Sequence, residues 1–369
     1  MATIVEATKQ YDAWVESQTK TIPEALETKY KEMADNTFKF FRATFYRWSR
    51  RLLEVCPEIS TAPRILSVGD LHIENYGMWR DAEGRLIWGI NDFDEATPLP
   101  YLNDLLRLAT SLLLTKSKDT KAGADALIAS LLDGYKDTLR NGGSPFLLER
   151  ENPALRSLCL SATNDTKSFW EKMDRIDKNT IPLSDIPQDA INTMRDLLPS
   201  GATITSYHTR ESGLGSLGRP RYVIKAQWNR GTIFREAKRL LPSSATYSQQ
   251  DGSYSIHAEE LLKSAVRCPD PYVHIVGDWS VRRLAPDSIR LELKDLKDAS
   301  NEKELCWAMG AEAANVHLGT PTKRGAILED MRGRTAEWIY LQAKALKEDV
   351  DAEAEGWKRY MESKKKAKN

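Results

Sequence analysis

GDLHIENYGMWRDAEGRLIWGINDFDEATPLPYLND, residues 69–104, is the stretch whose chemistry organises this chain. Asp70 is followed five residues later by Asn75, and Asp92 stands seventeen residues past Asn75 in an Asn-Asp-Phe-Asp-Glu run. Between them, Asp81-Ala82-Glu83-Gly84 is a turn sequence flanked by β-type runs, which predicts a hairpin. Asp104, twelve residues after Asp92, opens the apolar helix DLLRLATSLLL and is a natural N-cap. Phosphoryl transfer needs groups of these types in this order. One carboxylate orients or deprotonates the acceptor hydroxyl; an amide and a second carboxylate hold the magnesium that neutralises the phosphates. Asp70 is the candidate for the first role, and Asn75 and Asp92, assisted by Asp94, for the second. Carboxylates are common in loops and turns for local reasons. Three of them, Asp92, Asp94 and Glu95, nevertheless crowd one four-residue span, which is easier to explain with a cation present.

Composition bounds the rest. A chain of 369 residues and 41.8 kDa has room for one large two-lobed domain or two domains. Hydrophobic content is 41% and charged content 29%, an ordinary mixture for a soluble protein. Lys plus Arg and Asp plus Glu are both 53, so bulk charge points to neither nucleic acid nor membrane. Cys56, Cys159, Cys268 and Cys306 form no CxxC pair, which argues against a zinc site and suits a reducing compartment. The first residues lack a basic stretch followed by an apolar one. No apolar run approaches the ~18–20 residues needed to span a bilayer. The expectation is a cytoplasmic protein.

The motif set resembles the catalytic half of the protein-kinase-like superfamily, above all the aminoglycoside and choline phosphotransferases. Their pattern is a GD-x-H-x-x-N loop, a short hairpin, an I-D-F/W element, and a structural Asp twelve residues on. Asp70, Asn75, Asp92 and Asp104 match in order. The interval from Asn75 to Asp92 is longer than usual, and Val68 replaces the His that often precedes the Gly-Asp pair. The resemblance implies that Asp104 ties down the backbone of the catalytic loop.

Taken in order, residues 1–56 read as helical. Pro23 suits a first helical turn, and the aromatic-rich segment from Lys29 to Val55 has helical spacing and reads as core. Arg42 and Arg47 beside it read as solvated helix charges. Residues 64–68 form a short strand into the catalytic loop, and helices fill roughly 104–200, with a stop at Gly142-Gly143.

Composition shifts near residue 203. Gly213, Gly215 and Gly218 have G-x-G-x-x-G spacing, a weak signal alone. A dinucleotide fold needs a helix next, whereas here Pro220 and the β-type run RYVIKAQW follow. Strand, Gly loop, strand is the unit that covers nucleotide phosphates in kinases, because glycine lets backbone N–H groups approach closely. Gly213, Gly215, Ser216 and Gly218 are therefore candidate phosphate-covering residues. The next strand, in TIFREAKRLLPSS, is the place for a phosphate-gripping cation. Lys225 sits one strand early, and Arg235 and Lys238 point to opposite faces of one strand. Spacing alone does not choose between the last two.

The combination of GDLHIENYG, NDFDEA and RLATS with GLGSLGRPRY resembles the uncharacterised bacterial family of domain of unknown function 2252, over roughly residues 35–320. That family is grouped with kinase-like phosphotransferases. Its members carry a Lys four residues before a Pro-Ser pair, and Lys238 stands four before Pro242-Ser243; the resemblance thus selects Lys238. Here Arg-Glu-Ala-Lys replaces the commoner Lys-Glu-Ala.

In residues 255–266, a predicted helix, Glu259 or Glu260 would pair with that Lys. Residues 272–276 and 279–284 read as strands, and Leu284, Ala285 and Pro286 as the hinge against which adenine stacks. Residues 304–318 form an amphipathic helix that resembles the one leading into the catalytic loop of phosphotransferases, and His317 at its end reads as packed rather than metal-bound. The tail is helical. The expected fold is α+β, two-lobed and kinase-like, circularly permuted so that the catalytic loop precedes the nucleotide lobe. It divides into residues 1–200 (helices and catalytic part), 201–300 (Gly-loop nucleotide part) and 301–369 (helices returning to the catalytic lobe). The expected activity is ATP- and magnesium-dependent transfer to an unidentified acceptor. Adenylyl transfer and a catalytically inactive nucleotide-binding module are the alternatives.

Overall fold

The computed structural model describes residues 2–116, 121–162, 166–249, 254–286 and 298–368. Parts of the expected helical region 104–200 (117–120, 163–165) and of the expected nucleotide part (250–253, 287–297) lie outside the described residues.

Among the described residues the architecture is a mixture of helices and three antiparallel sheets. Four helices open the chain: α1 (Ile4–Gln18), α2 (Pro23–Asp35), α3 (Thr37–Ala43) and α4 (Phe45–Val55). A Thr3/Glu6 capping box starts α1, Pro23 starts α2, and the Asn36 side chain caps α3. Phe38, Phe40, Phe41, Phe45 and Trp48 are buried in the main core, as the spacing predicts. Arg47 departs from expectation. It is buried, and its guanidinium donates to both Glu353 carboxylate oxygens at 2.8 Å.

Next come β1 (Arg64–Ser67), β2 (Tyr76–Arg80), β3 (Leu86–Ile90) and β4 (Thr97–Pro100). The predicted hairpin joins β2 to β3. β1 pairs with β4 alone, a strand masked in sequence by its two prolines; a two-stranded ribbon has open edges on which Pro is tolerated. α5 (Leu102–Thr115) and α6 (Ala124–Asn141) follow, then β5 (Phe146–Leu147) on the edge of the hairpin, and α7 (Pro153–Ala162).

α8 (Thr166–Ile176) and α9 (Gln188–Asp196) lead into β6 (Thr203–Thr209), β7 (Arg221–Trp228) and β8 (Gly231–Arg239). After α10 (Ser244–Gln249) and α11 (Ala258–Ser264) come β9 (Val273–Val276) and β10 (Trp279–Leu284). The five strands form one sheet in the order β6-β7-β8-β10-β9. One face packs on α9 through Ile191, Met194, Ala237 and Val281. Part of the other meets α8 through Met173, Ile176, Val223 and Phe234.

α12 (Ala299–His317), α13 (Arg324–Asp330) and α14 (Ala336–Lys368) complete the chain. α12 returns to the main core, where Leu305, Met309, Ala313 and Val316 are buried. It ends beside β1: the Thr320 hydroxyl accepts from Leu66 N at 3.3 Å. All four cysteines are unpaired, as expected. Among the described residues no helix is long and apolar enough to cross a membrane.

Candidate functional site

The loop between β1 and β2 carries Asp70 and Asn75, and its shape is set from below by Asp104. The Asp104 carboxylate, fully buried at the start of α5, accepts from Val68 N at 2.8 Å and Gly69 N at 3.0 Å. His317 Nε2 sits 3.0 Å from the same carboxylate, with its Nδ1 2.7 Å from the Tyr135 hydroxyl. His317 is thus a packed residue that links the end of α12 to the loop. Gly69 has φ +83°, and any Cβ there would run into the backbone carbonyl of Glu95. Beyond the turn, Asn75 Oδ1 accepts from His72 N at 2.8 Å, which closes a single 3₁₀ turn.

α5 begins at Leu102 with Tyr101 at its N-cap, so Asp104 lies inside the first turn instead of capping the helix, and its carboxylate serves the loop. Asp70 is held by a residue that the sequence alone did not single out. Arg107, farther along α5, donates from Nε to Asp70 Oδ1 at 2.7 Å, with a second bond from Nη2. Its guanidinium lies over Phe41, 3.9 Å from the ring centroid, and is wholly buried. The signal was an Arg inside an otherwise apolar helical run. Burial pushes Asp70 up to about 7 against the opposing pull of Arg107, with Glu95 and Asp92 adding to the rise.

After β3, Asp92, Asp94 and Glu95 enter the same space. Lys238 on β8 forms ion pairs with Asp94 and, at 3.6 Å, with Asp92. Burial lifts Asp94 to about 6, reinforced by the charge on Asp92. Glu95 lines the same recess and also fastens the segment after β8, accepting from Ser244 N at 2.6 Å and from the hydroxyls of Ser243 and Ser244. The Pro-Ser pair that helped to select Lys238 is thus anchored to the acidic run itself. Among the described residues no three His, Cys, Asp or Glu side chains converge to hold a metal ion.

The Gly loop between β6 and β7 lies directly over Asp70. A Cβ on Gly215 would be 3.7 Å from Asp70 Oδ2 and 3.2 Å from the Arg42 carbonyl. The N-terminal helices hold the loop down: Ile22 N donates to Gly218 O at 2.9 Å, and Lys29 Nζ to Gly215 O at 3.5 Å. Ser216 donates to Gly213 O and accepts from Arg221 at 3.0 Å. A recess of about 50 Å³ between this loop and the Asp70–Asn75 turn is lined by Asp70, Asn75, Asp92, Asp94, Gly213, Gly215 and Ser216. It shares Arg42, Gly213 and Leu214 with a cleft of about 1150 Å³, which continues past Asn91 and Phe93 to Leu284, Ala285 and Pro286.

Three candidate cations or partners lie elsewhere. Lys225 pairs with Asp177 at 2.6 Å. Arg235 is on the opposite face of β8 from Lys238, donating to Leu197 O at 2.8 Å and stacking over Tyr272. Glu260 is 3.0 Å from His257 Nδ1 on an exposed surface, and Glu259 pairs with Lys263. Neither glutamate meets Lys238, because the short α11 turns both toward solvent; the Lys finds its carboxylates in Asp92 and Asp94. Arg42, expected to be solvated, pairs with Glu74 at 2.5 Å on the wall of the recess.

A family model described as an uncharacterized protein conserved in bacteria, domain of unknown function 2252, matches residues 21–173. That span contains Asp70, Asn75, Asp92, Asp94, Asp104 and Arg107 and ends before the Gly loop. No curated protein and no solved structure matches the chain.

Proposed function

We propose that the chain is an ATP- and magnesium-dependent phosphotransferase of the kinase-like type, acting on a hydroxyl of a small molecule or protein. The observation that carries this reading is the convergence of Asp70, Asn75, Asp92 and Asp94 with a Gly loop and Lys238, which lie more than a hundred residues downstream. A cleft of about 1150 Å³ opens from that point, ample for a nucleotide.

The roles follow from the chemistry. Asp70 Oδ1 is taken by Arg107, while Oδ2 faces the Gly loop. A carboxylate poised near neutral pH suits a base that accepts the proton of an attacking hydroxyl. The hydroxyl oxygen bonds to the terminal phosphorus, the bond to the bridging oxygen of ADP breaks, and the proton passes to Asp70. Lys238 and the backbone of Gly213, Gly215, Ser216 and Gly218 hold the phosphates. Asp92, Asp94 and Asn75 fit a magnesium ion, since one cationic group already bridges the two carboxylates. When bound, the ion would neutralise phosphate charge.

We read the order of elements as a circularly permuted two-lobed kinase-like fold. The bonds from His317 to Asp104 and from Leu66 to Thr320 support this, since they join the end of α12 to the catalytic loop and its strand, where an unpermuted chain would be continuous. Calorimetry with ATP, with and without magnesium, followed by incubation with γ-labelled ATP and cell extract, tests the reading. Magnesium-dependent binding and label transfer to a discrete acceptor are expected. Metal-independent binding without transfer would instead indicate an inactive nucleotide-binding module.

A further inference from the structure

On the cleft face of the five-stranded sheet, two residues before Lys238, Glu236 is fully buried at the centre of three arginines. Arg221 donates from Nη1 at 2.8 Å, Arg282 from Nε at 2.8 Å, and Arg210 also bonds to the carboxylate. Strand register explains the cluster. Glu236 stands opposite Arg282 on β10, and Arg221 opposite Lys238 on β7, so all four side chains leave the same face. Burial alone would raise Glu236, but Arg221, Arg282 and Arg210 hold its carboxyl well below the usual range, so it stays charged.

The charges do not cancel. Three guanidiniums meet one carboxylate, and the neighbouring Asp92 and Asp94 are shared with Lys238. Four cations against three carboxylates leave a positive surplus in a partly desolvated place, a costly arrangement unless an anion completes it. Nor is the cluster sealed: Arg210 and Arg282 line the large cleft, and the Arg282 side chain is 40% exposed. Arg221 also reaches through Nη2 to Ser216 in the Gly loop. Fixed guanidinium forks match phosphate oxygens well.

We propose that Arg210, Arg221 and Arg282, oriented by Glu236, form a polyphosphate-binding ring on the roof of the cleft, and that it takes the phosphate chain of the nucleotide together with Lys238. The inference deepens the phosphotransferase reading and rests on it for the identity of the ligand. Glu236 and the buried Arg221 are positioning residues, and Arg210 and Arg282, which line the cleft, touch the ligand.

The test is calorimetric titration of the full chain with magnesium-ATP and, separately, with inorganic triphosphate. Arg282→Gln is the main variant and Arg210→Gln the second. Arg239→Gln, on the face of β8 opposite Lys238 and paired with Asp278 away from the cleft, is the control. Losing a charge-assisted bidentate contact should weaken both ligands by about tenfold or more in Arg282→Gln and Arg210→Gln. The control should bind as the parent does. Unchanged affinity for both ligands in the two folded variants would overturn the ring while leaving the nucleotide reading intact. If the parent binds triphosphate but not ATP, and Arg282→Gln weakens it, the ring stands and the nucleotide reading falls. If the parent binds neither ligand, both fall.

Discussion

Asp104→Asn isolates the support of the Val68–Asn75 loop from any chemistry performed there. Asp104 Oδ1 serves Gly69 N at 3.0 Å and Asn103 Nδ2 at 2.9 Å, and Oδ2 serves Val68 N at 2.8 Å and faces His317 Nε2 at 3.0 Å. An isosteric Asn keeps one oxygen and turns an NH2 group toward the other set of partners. His317 can adapt by changing tautomer, since Tyr135 beyond it both donates and accepts. The backbone N–H of Val68 or Gly69 cannot. One buried donor is left facing a donor, at a cost of about 1–3 kcal/mol. Loss of the charge on the remaining bonds adds to this, so the expected destabilisation is about 2–4 kcal/mol, a large part of the ~5–15 kcal/mol that holds a typical fold together. Urea unfolding followed by tryptophan fluorescence reads it, with Trp48 bonded to Asn103 beside the site. Asp137→Asn, which removes an exposed helix pair with Arg140, should cause no measurable change. A loss below about 0.5 kcal/mol for Asp104→Asn would refute the argument that this carboxylate organises the loop.

The proposed chemistry yields two further expectations. Asp92→Asn should abolish magnesium-dependent ATP turnover with unchanged circular dichroism, and turnover at the parent level in the folded variant would remove the metal assignment. Asp70 must be ionised to act as base and is raised by burial to about 7. The rate should therefore climb with pH up to about 7 and level off above it. Asp70→Asn should lower turnover by about 10²-fold and flatten the profile, and a profile that keeps its inflection would assign the titration to another group.

Much of the local structure was legible because local structure answers to local rules. The hairpin between Tyr76 and Ile90 was visible as a turn between β-type runs. The units β7 and β10 were found at their observed limits, and His317 is packed, as its place at the end of a helix suggested. The short β4 was missed because its pairing with β1 depends on a partner, not on propensity.

Tertiary structure decided everything that depends on which face of an element meets which neighbour. The spacing of Arg235 and Lys238 says only that they oppose each other across β8; packing of the sheet turned Lys238 toward Asp94 and Arg235 toward Leu197. The Glu260 partnership failed for the same reason, since α11 directs it to His257. Arg107 is one charge in an apolar helical run and Glu236 one of several charges along its strand, and sequence singles out neither. Their burial against Asp70 and against three arginines arises from contacts 37 and up to 46 residues away in the chain. A buried charge is tolerable only when its counter-charges arrive with it, and that arrival is a property of the assembled fold.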